Sequence, residues 1–155
     1  MTVLETLPET FANNEPIKGN WTESGGVHWL TDPDVNVRQV ARAMNAVGAR
    51  FITITAYQLP RDEGFRLEYH WDLDGRLLGF SFRLAGNSIE SIYDLCEAVD
   101  WIERETHEGF DIEFTGREYQ PLLLREGNTC GVNLRETGAP GKPGSGLLGQ
   151  EEVAK

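Results

Sequence analysis

Hydrophobic and polar positions alternate most regularly along residues 65–84. Large apolar side chains occupy every second position on both sides of an Asp74-Gly75 pair, and polar side chains or glycine fill the positions between them. Such alternation is typical of strands with one buried face, and Asp-Gly is favoured in the type I′ turns that join two antiparallel strands. The pattern therefore predicts a β-hairpin over residues 65–84.

A repeat of three to four residues predicts two amphipathic helices. The first follows apolar positions 37, 40, 41, 44 and 47 and ends at Gly48, a residue type common just beyond a helix C-terminus. The second begins at Asn87 and Glu90, which have the spacing of a capping box, and extends to about Thr106. Its apolar positions are Ile89, Ile92, Leu95, Cys96, Val99 and Ile102. Each helix has one stripe that can cover a sheet.

Three further strands are predicted outside the hairpin. Residues 27–30 and 51–57 are rich in β-branched and aromatic side chains, and a short strand is expected around Ile112 and Phe114. The order of elements is then β-α-β-β-β-α-β. This order predicts an α+β fold, in which a small mixed or antiparallel sheet is covered by the two amphipathic helices.

Composition divides the chain into three parts. Residues 1–25 are polar and show no sustained period, which predicts a loose N-terminal lead-in. Residues 26–126 carry the predicted elements and form the α+β domain. Residues 127–155 are expected to be an extended C-terminal arm, because eight of the 25 residues from Gly131 to Lys155 are Gly or Pro.

The balance of charge excludes several classes of partner. Against 25 Asp and Glu there are 14 Lys and Arg, and the net charge of -11 repels phosphate backbones and anionic lipid headgroups. Nucleic acid is therefore not an expected partner, and the aromatic strands are better explained by core packing than by base stacking. No apolar run approaches the roughly 20 residues of a membrane span, and no secretory signal is recognisable, so a cytoplasmic protein is expected.

Motifs for cofactors and catalysis are incomplete. Cys96 and Cys130 are too few to hold an iron–sulfur cluster alone, and no Gly-rich phosphate loop follows a predicted strand, so no cofactor is expected in this chain. His107-Glu108 resembles the start of a zinc-hydrolase motif, but Asp111 stands where that motif needs its second His. Glu103 and His107 lie one helical turn apart and could share a metal, yet structural pairing is the favoured interpretation because such neighbours interact routinely.

The acidic charge is concentrated in residues 100–130. This stretch holds eight Asp or Glu and three Arg, a net charge of -5, beside apolar groups that include Trp101 and Leu122–Leu124. Acidic groups next to apolar ones are typical of a docking edge for a basic partner. A solvated helix face with an ordinary core side is the alternative interpretation.

Residues 99–116 resemble the signature of the thirty-kilodalton subunit of respiratory complex I, the NADH:quinone oxidoreductase, and of its counterparts in membrane-bound energy-converting NiFe hydrogenases. That pattern has Trp or a similar residue, Glu-Arg-Glu, an Asp, an aliphatic residue, Phe-Gly-Ile, a second Phe and Gly-His-Pro. The positions in register are Trp101, Glu103, Arg104, Glu105, Phe110, Ile112, Phe114 and Gly116, with Glu108 at the Asp position. The upstream order of elements also follows the family, so the resemblance covers about residues 27–126.

The resemblance implies a peripheral, non-catalytic subunit of a complex that couples electron transport to proton translocation on the cytoplasmic side of a membrane. Its partners would be a large subunit, of the forty-nine-kilodalton or NiFe hydrogenase type, and a small iron–sulfur subunit. Iron–sulfur clusters, and a NiFe centre or flavin, would reside in those partners. The signature residues would hold the helix end or contact a partner, and none would be catalytic.

Four departures from the pattern favour the hydrogenase-like branch over NADH:quinone oxidoreductase. One is the absence of the downstream Arg pair, in whose place residues 119–124 read Tyr-Gln-Pro-Leu-Leu-Leu. Gly109 replaces an aliphatic residue, Asp111 replaces Gly, and Arg117-Glu118 replaces His-Pro. Two alternatives of a different class stay open at this point. One is a free-standing acidic protein-binding module, and the other is a small hydrolase that uses His107 and nearby carboxylates.

Overall fold

The computed structural model describes Ile17 and residues 21–84, 86–131 and 134–135. Within these residues the chain forms seven strands and two α-helices, joined in part by short 3-10 turns at Pro60–Asp62 and Glu97–Val99. The elements are β1 (Trp21–Ser24), β2 (Val27–Thr31), α1 (Val37–Ala46), β3 (Arg50–Gln58), β4 (Phe65–Leu73), β5 (Arg76–Leu84), β6 (Ser88–Glu90), α2 (Asp100–Phe110) and β7 (Glu113–Thr115). The α+β prediction is confirmed.

The main sheet has five strands in the order β1-β2-β5-β4-β3. Strands β2 and β5 are parallel, and the other neighbouring pairs are antiparallel. The predicted hairpin is confirmed as β4 and β5, which pair Tyr69 with Phe80 and Trp71 with Leu78. Its turn lies at Asp74-Gly75, where both residues adopt positive φ as a type I′ turn requires.

The N-terminal edge of the sheet differs from the predicted lead-in. Trp21–Ser24 form β1 instead of a loose segment, because the Gly25-Gly26 turn folds them back onto β2. The Trp21 ring packs edge to face on Phe80 at 5.5 Å. Four residues are too short to show an alternating pattern in the sequence. The prediction for residues 1–16 and 18–20 lies outside the described residues.

Helix α1 has the predicted position and buries one stripe, as expected. Its N-terminus is closed by a capping box, in which the Asn36 side chain accepts from the Gln39 N–H and the Gln39 side chain accepts from the Asn36 N–H, both at 2.9 Å. The side chains that it buries are Val37, Val40, Ala41, Ala43 and Met44. Arg38 ties the helix to the segment after β6 through a bidentate pair with Asp94 at 2.6 and 2.7 Å.

The second predicted helix is wrong in its first half. The segment that follows Asn87 forms β6, which pairs in parallel with β7 and places Ile89 opposite Phe114. The Asn87 side-chain amide donates to the Asp111 carbonyl instead of capping a helix. A three-residue partner strand and the preference of β-branched Ile89 for a pleated surface outweigh the helical spacing. Helix α2 begins only at Asp100.

Both helices and the inner face of the sheet share one apolar core. Trp71, Tyr69 and Phe80 are its largest fully buried side chains, and Trp71 contacts Phe80 edge to face at 5.5 Å. On the opposite face of the sheet, Gly79 lies under the Trp29 ring, where a Cβ atom would collide with the ring carbons. Among the described residues, no helix combines the length and apolar character needed to cross a membrane.

Candidate functional site

The candidate site is built where the C-terminal half of α2 meets the chain that follows β7. This chain turns at Gly116, at a φ of +85° that suits glycine, and then runs beside the helix. We call residues 117–124 the strap. Charged side chains of α2 reach the strap backbone and join the strap to the helix.

Glu108 is the centre of this connection. Its carboxylate, only 2% exposed, accepts four hydrogen bonds. The donors are the Tyr119 hydroxyl at 2.6 Å and the backbone N–H groups of Leu122, Leu123 and Leu124 at 2.6, 2.7 and 2.9 Å. Burial by itself raises the pKa of Glu108, but the hydrogen bonds, led by that from Leu122, outweigh it and lower the pKa below its ordinary value. The charged form is the one that holds the strap.

Arg104 holds the preceding part of the strap. Its Nε donates to the Gln120 carbonyl at 2.8 Å and its Nη2 to the Pro121 carbonyl at 2.5 Å. The remaining Nη1 donates to Asp100 at 3.0 Å, one helical turn earlier. Arg104 and Glu108 lie four residues apart on the same helix face, so together they fix the strap backbone from residue 120 to 124.

A second buried cluster lies on the neighbouring face of α2. Glu103, 1% exposed, accepts from the Ser91 hydroxyl at 2.7 Å, the Ile92 N–H at 3.0 Å and Arg117 Nη1 at 2.9 Å. Arg117 also donates to Asp100. Because every charge here has an opposite partner, the cluster fastens the segment before α2 and the start of the strap to the helix.

The Asp100 carboxyl belongs to both clusters, because Arg104 and Arg117 donate to its two oxygens. The Arg117 hydrogen bond is the main cause of a lowered Asp100 pKa, which burial opposes and Arg104 reinforces. Arg117 stands where the resembling pattern has His. Its guanidinium also lies 4.6 Å above the Tyr93 ring.

His107 lies between the strap and the residues that follow it. Its Nδ1 lies 2.9 Å from the Ile112 carbonyl, which can only accept a hydrogen bond, and its Nε2 lies 3.5 Å from the Cys130 sulfur. Burial, with the charges of Asp111 and Glu108 added, raises the pKa of Cys130. A raised pKa disfavours the thiolate that a cysteine nucleophile needs.

The surroundings of His107 also bear on metal binding and hydrolysis. Within residues 21–84 and 86–131 and their described neighbours, no group of three or more His, Cys, Asp or Glu side chains is placed to hold a metal ion. Glu103 and His107 have separate hydrogen-bond partners, namely Ser91 with Arg117 and Ile112 with Cys130. Both side chains therefore make structural contacts, but with these residues and not with each other as the helical spacing had suggested.

The C-terminus of α2 is capped by residues that composition assigns to the arm. Gly131 N–H donates to the Glu108 carbonyl at 2.8 Å, Leu134 N–H to the Gly109 carbonyl at 3.1 Å, and Arg135 Nε to the Phe110 carbonyl at 2.6 Å. These bonds satisfy three of the carbonyls that a helix end leaves unpaired. Leu134 packs where a Cβ on Gly109 would approach its Cδ1 to 2.5 Å. The arm therefore begins with ordered contacts, and the rest of it lies outside the described residues.

A cleft of about 500 Å³ opens between α2, β7 and the start of the strap. Arg104, His107, Arg117 and Tyr119 line it, together with Phe114. Each of the four polar side chains makes a hydrogen bond within the protein. The buried Arg117 Nε, however, has no hydrogen-bond partner within the described residues.

The nine signature residues are brought together, but they have different environments. Glu103, Glu108, Ile112 and Phe114 are buried. Arg104 and Phe110 are partly buried, and Gly116 makes the exposed turn before the strap. Trp101, 71% exposed, and Glu105 point to solvent. Three of the charged residues are therefore used inside the molecule, and the part of the prediction that assigns partner contacts stays a prediction.

Several residues of the site were not predicted. Tyr119, Ser91 and the strap backbone carry no local signal, because their role depends on residues 11 to 16 positions away. A signal did exist for Glu103, since it lies four residues after Val99 and therefore falls on the apolar stripe of the predicted helix. A carboxylate in a buried stripe predicts a buried partner.

Comparisons with known proteins agree with this architecture. Residues 31–140 match the family model described as "Respiratory-chain NADH dehydrogenase, 30 Kd subunit", which confirms the resemblance drawn from residues 99–116. No curated protein matches the chain.

Two solved structures share the fold. The trypsin-resistant fragment of Nqo5 (1–134) is 20% identical, with a TM-score of 0.52 over 65% of this chain and 89% of that chain. A chain of the membrane-bound sulfane sulfur reductase, an archaeal respiratory membrane complex, is 19% identical, with a TM-score of 0.60 over 75% of this chain and 70% of that chain.

Proposed function

Because the chain belongs to the family of the thirty-kilodalton subunit of respiratory-chain NADH dehydrogenase, we propose that it is a peripheral subunit of a complex I-like, redox-driven ion-translocating oxidoreductase. In this proposal it docks on the large subunit, of the forty-nine-kilodalton or NiFe hydrogenase large type, near the small iron–sulfur subunit. The chain itself has no catalytic step and holds no cofactor. Its task is the assembly and stabilisation of the electron-transfer module on the cytoplasmic side of the membrane.

The main support for the proposal is that the charged signature residues bind other parts of the same chain. Arg104 and Glu108 bind the strap, and Glu103 binds Arg117 and the segment before α2. These groups shape a surface instead of facing a substrate. A family signature whose charged residues build a rigid surface fits a subunit that is recognised by its neighbours.

The hydrogenase-like branch is the favoured form of the proposal. At Gly109, Asp111 and Arg117 this chain departs from the form of the signature found in NADH:quinone oxidoreductase, and each departure has a structural use. Gly109 leaves room for Leu134, Asp111 ends α2 at a φ of +57°, and Arg117 pairs with Glu103. The electron donor and acceptor would then be set by the partner subunits.

Deleting the gene for this chain in its native host tests the proposal. The membrane complex that contains the large subunit, of either type, should fail to assemble, as seen on native gels, and its electron-transfer activity in membranes should be lost. Complementation with the full chain should restore both. An intact, fully active complex without the chain, with the purified chain alone as a separate species, would contradict the proposal and favour a free-standing acidic module.

A further inference from the structure

The most exposed large apolar side chains of the described chain all lie at helix α2. Trp101 is 71% exposed, Leu123 69% and Leu134 53%, whereas the other exposed large hydrophobic residues range from 39% to 40%. Large exposed apolar groups gathered on one face mark an interaction site more often than scattered ones do. Their common location at α2 therefore indicates an interaction site.

Helix geometry, hydrogen bonds and packing place the three residues on α2 or directly against it. Trp101 and Glu108 are seven residues apart, which puts them on the same helix face about 10 Å apart along the axis. Leu123 is held at the Glu108 carboxylate through its own N–H at 2.7 Å. Leu134 packs over the neighbouring Gly109. We call Trp101, Leu123 and Leu134 the apolar triad.

Two exposed carboxylates flank Trp101 along the chain. Glu97 and Glu105 are exposed and lie four residues before and four residues after Trp101. Within residues 21–84 and 86–135 as far as these are described, neither forms an ion pair, although eight other pairs are present. Unpaired acidic groups around an exposed tryptophan complement a partner that presents cations around an apolar pocket.

We propose that Trp101 is the central anchor of the surface by which this chain binds its large partner subunit, and that it enters an apolar socket bordered by Lys or Arg. This inference rests on the proposed function and assigns the docking face within it. Rigid support is already present, because the strap is fixed by Glu108 and Arg104 before any partner binds. Preorganisation of this kind lowers the entropy cost of binding.

A second copy of this chain is a poor occupant of the surface. Each copy carries a net charge of -11, and the borders of two triads would bring acidic groups together. An anionic lipid surface is disfavoured for the same reason. The exposed carboxylates Glu97 and Glu105 instead complement a partner that presents basic and apolar groups.

The test measures binding of the full chain to the complex purified from the deletion strain, or to the isolated large subunit. Trp101→Ala should weaken binding about 30-fold or more, the loss typical of a central tryptophan anchor. Leu77→Ala, which trims an apolar side chain 40% exposed on the main sheet, is the matched control and should bind within about threefold of wild type. Trp101→Phe should fall between the two, because it keeps an aromatic ring.

The acidic border is tested by a second variant. Glu97→Gln with Glu105→Gln should slow association and reduce its dependence on salt, since both effects follow the charges that steer a basic partner. Glu23→Gln, an exposed carboxylate on β1, should change neither. Quenching of tryptophan fluorescence by acrylamide should lose its most accessible component when wild type binds, and Trp101→Ala should lack that component already.

The outcomes are distinguishable. Wild-type binding that Trp101→Ala leaves within threefold would overturn the docking face while the proposed function stands. No wild-type binding to any subunit of the complex would overturn both. A concentration-dependent dimer that Trp101→Ala abolishes would identify the occupant as a second copy and would also overturn the inference.

Discussion

The β4–β5 hairpin and the helix–strap unit are stabilised by different forces. In the hairpin, alternating large side chains bury a continuous apolar face, with Tyr69, Trp71 and Phe80 essentially inaccessible to water. In the helix–strap unit, Glu108 and Arg104 bind backbone groups of a segment that has no regular structure of its own. The hairpin therefore depends on burial, which is insensitive to pH, and the helix–strap unit depends on ionised groups.

The difference suggests that the apolar core provides stability, whereas the helix–strap unit shapes the surface that a partner would recognise. The apolar core is common to any folded domain and says little about a partner. A strap fixed by charged side chains presents a rigid surface of particular shape, and the exposed Trp101 stands beside it. We therefore expect core substitutions to unfold the chain and helix–strap substitutions to change its surface first.

The largest effect is expected in the core. Trp71→Ala removes a side chain that is 1% exposed and contacts Phe51, Tyr69 and Phe80. The cavity and the lost burial should lower the free energy of unfolding by about 3–5 kcal/mol, by the same amount at high and low salt. Urea unfolding of the purified chain measures it. A loss that shrinks strongly in high salt would contradict the assignment of this region to apolar packing.

Glu103→Gln should have the next largest effect. The change leaves Arg117 in a buried site with Asp100 as its remaining carboxylate partner, and breaking a buried ion pair costs on the order of 3 kcal/mol. Urea unfolding again measures the loss. Glu113→Gln, an exposed acid on β7, is the control and should stay within about 0.5 kcal/mol of wild type. Equal stability of both variants would show that the Glu103 charge has no structural role.

Glu108→Gln should release the strap while the sheet stays folded. An amide offers one acceptor oxygen where the carboxylate accepts four hydrogen bonds, so we expect a loss of about 2–3 kcal/mol. Hydrogen exchange should accelerate at the amides of residues 122–124 and remain unchanged in β4 and β5. Glu118→Gln, an exposed strap carboxylate, should leave every one of these rates unaltered.

Acid should act on the helix–strap unit before the hairpin. The pKa values of Asp100 and Glu108 are lowered in the folded chain, so the unfolded chain binds protons at higher pH than the folded one does. Their contribution to stability is complete above the ordinary carboxyl pKa of about 4 and is lost as pH falls through the lowered values. Exchange at pH 3 and pH 7 should show the strap amides losing protection first. Simultaneous loss in the hairpin and the strap would contradict this separation.

The smallest stability effect is expected for Trp101→Ala. Its side chain is 71% exposed, so the free energy of unfolding of the isolated chain should change by no more than about 0.5 kcal/mol. A thermal or urea unfolding curve of the variant and of wild type measures this change. A loss above about 2 kcal/mol, the size expected of a buried side chain, would mean that Trp101 is part of the fold and would remove the basis for treating it as a surface anchor.

Local pattern predicted the elements whose partners are close in the chain. The hairpin follows from alternation and one Asp-Gly turn, and α1 follows from its stripe and Gly48. The same reasoning failed at Ile89, because the helical spacing of residues 87–106 could not reveal that β7 supplies a partner strand. It also missed Trp21–Ser24, which are ordered by their pairing with β2.

The sequence by itself determined the α+β composition of the chain, its acidic surface, the core stripe of α1 and the family signature in α2. Only the tertiary structure decided what the signature residues do. Residues 103, 104 and 108 have ionisable side chains in any conformation. Apart from Asp100, which lies one helical turn before Arg104, their partners are main-chain groups and side chains 11 to 17 residues away. Every residue other than proline has the same backbone donor and acceptor, so a hydrogen bond to the backbone cannot be predicted from residue type. The strap is therefore defined only once the chain has folded.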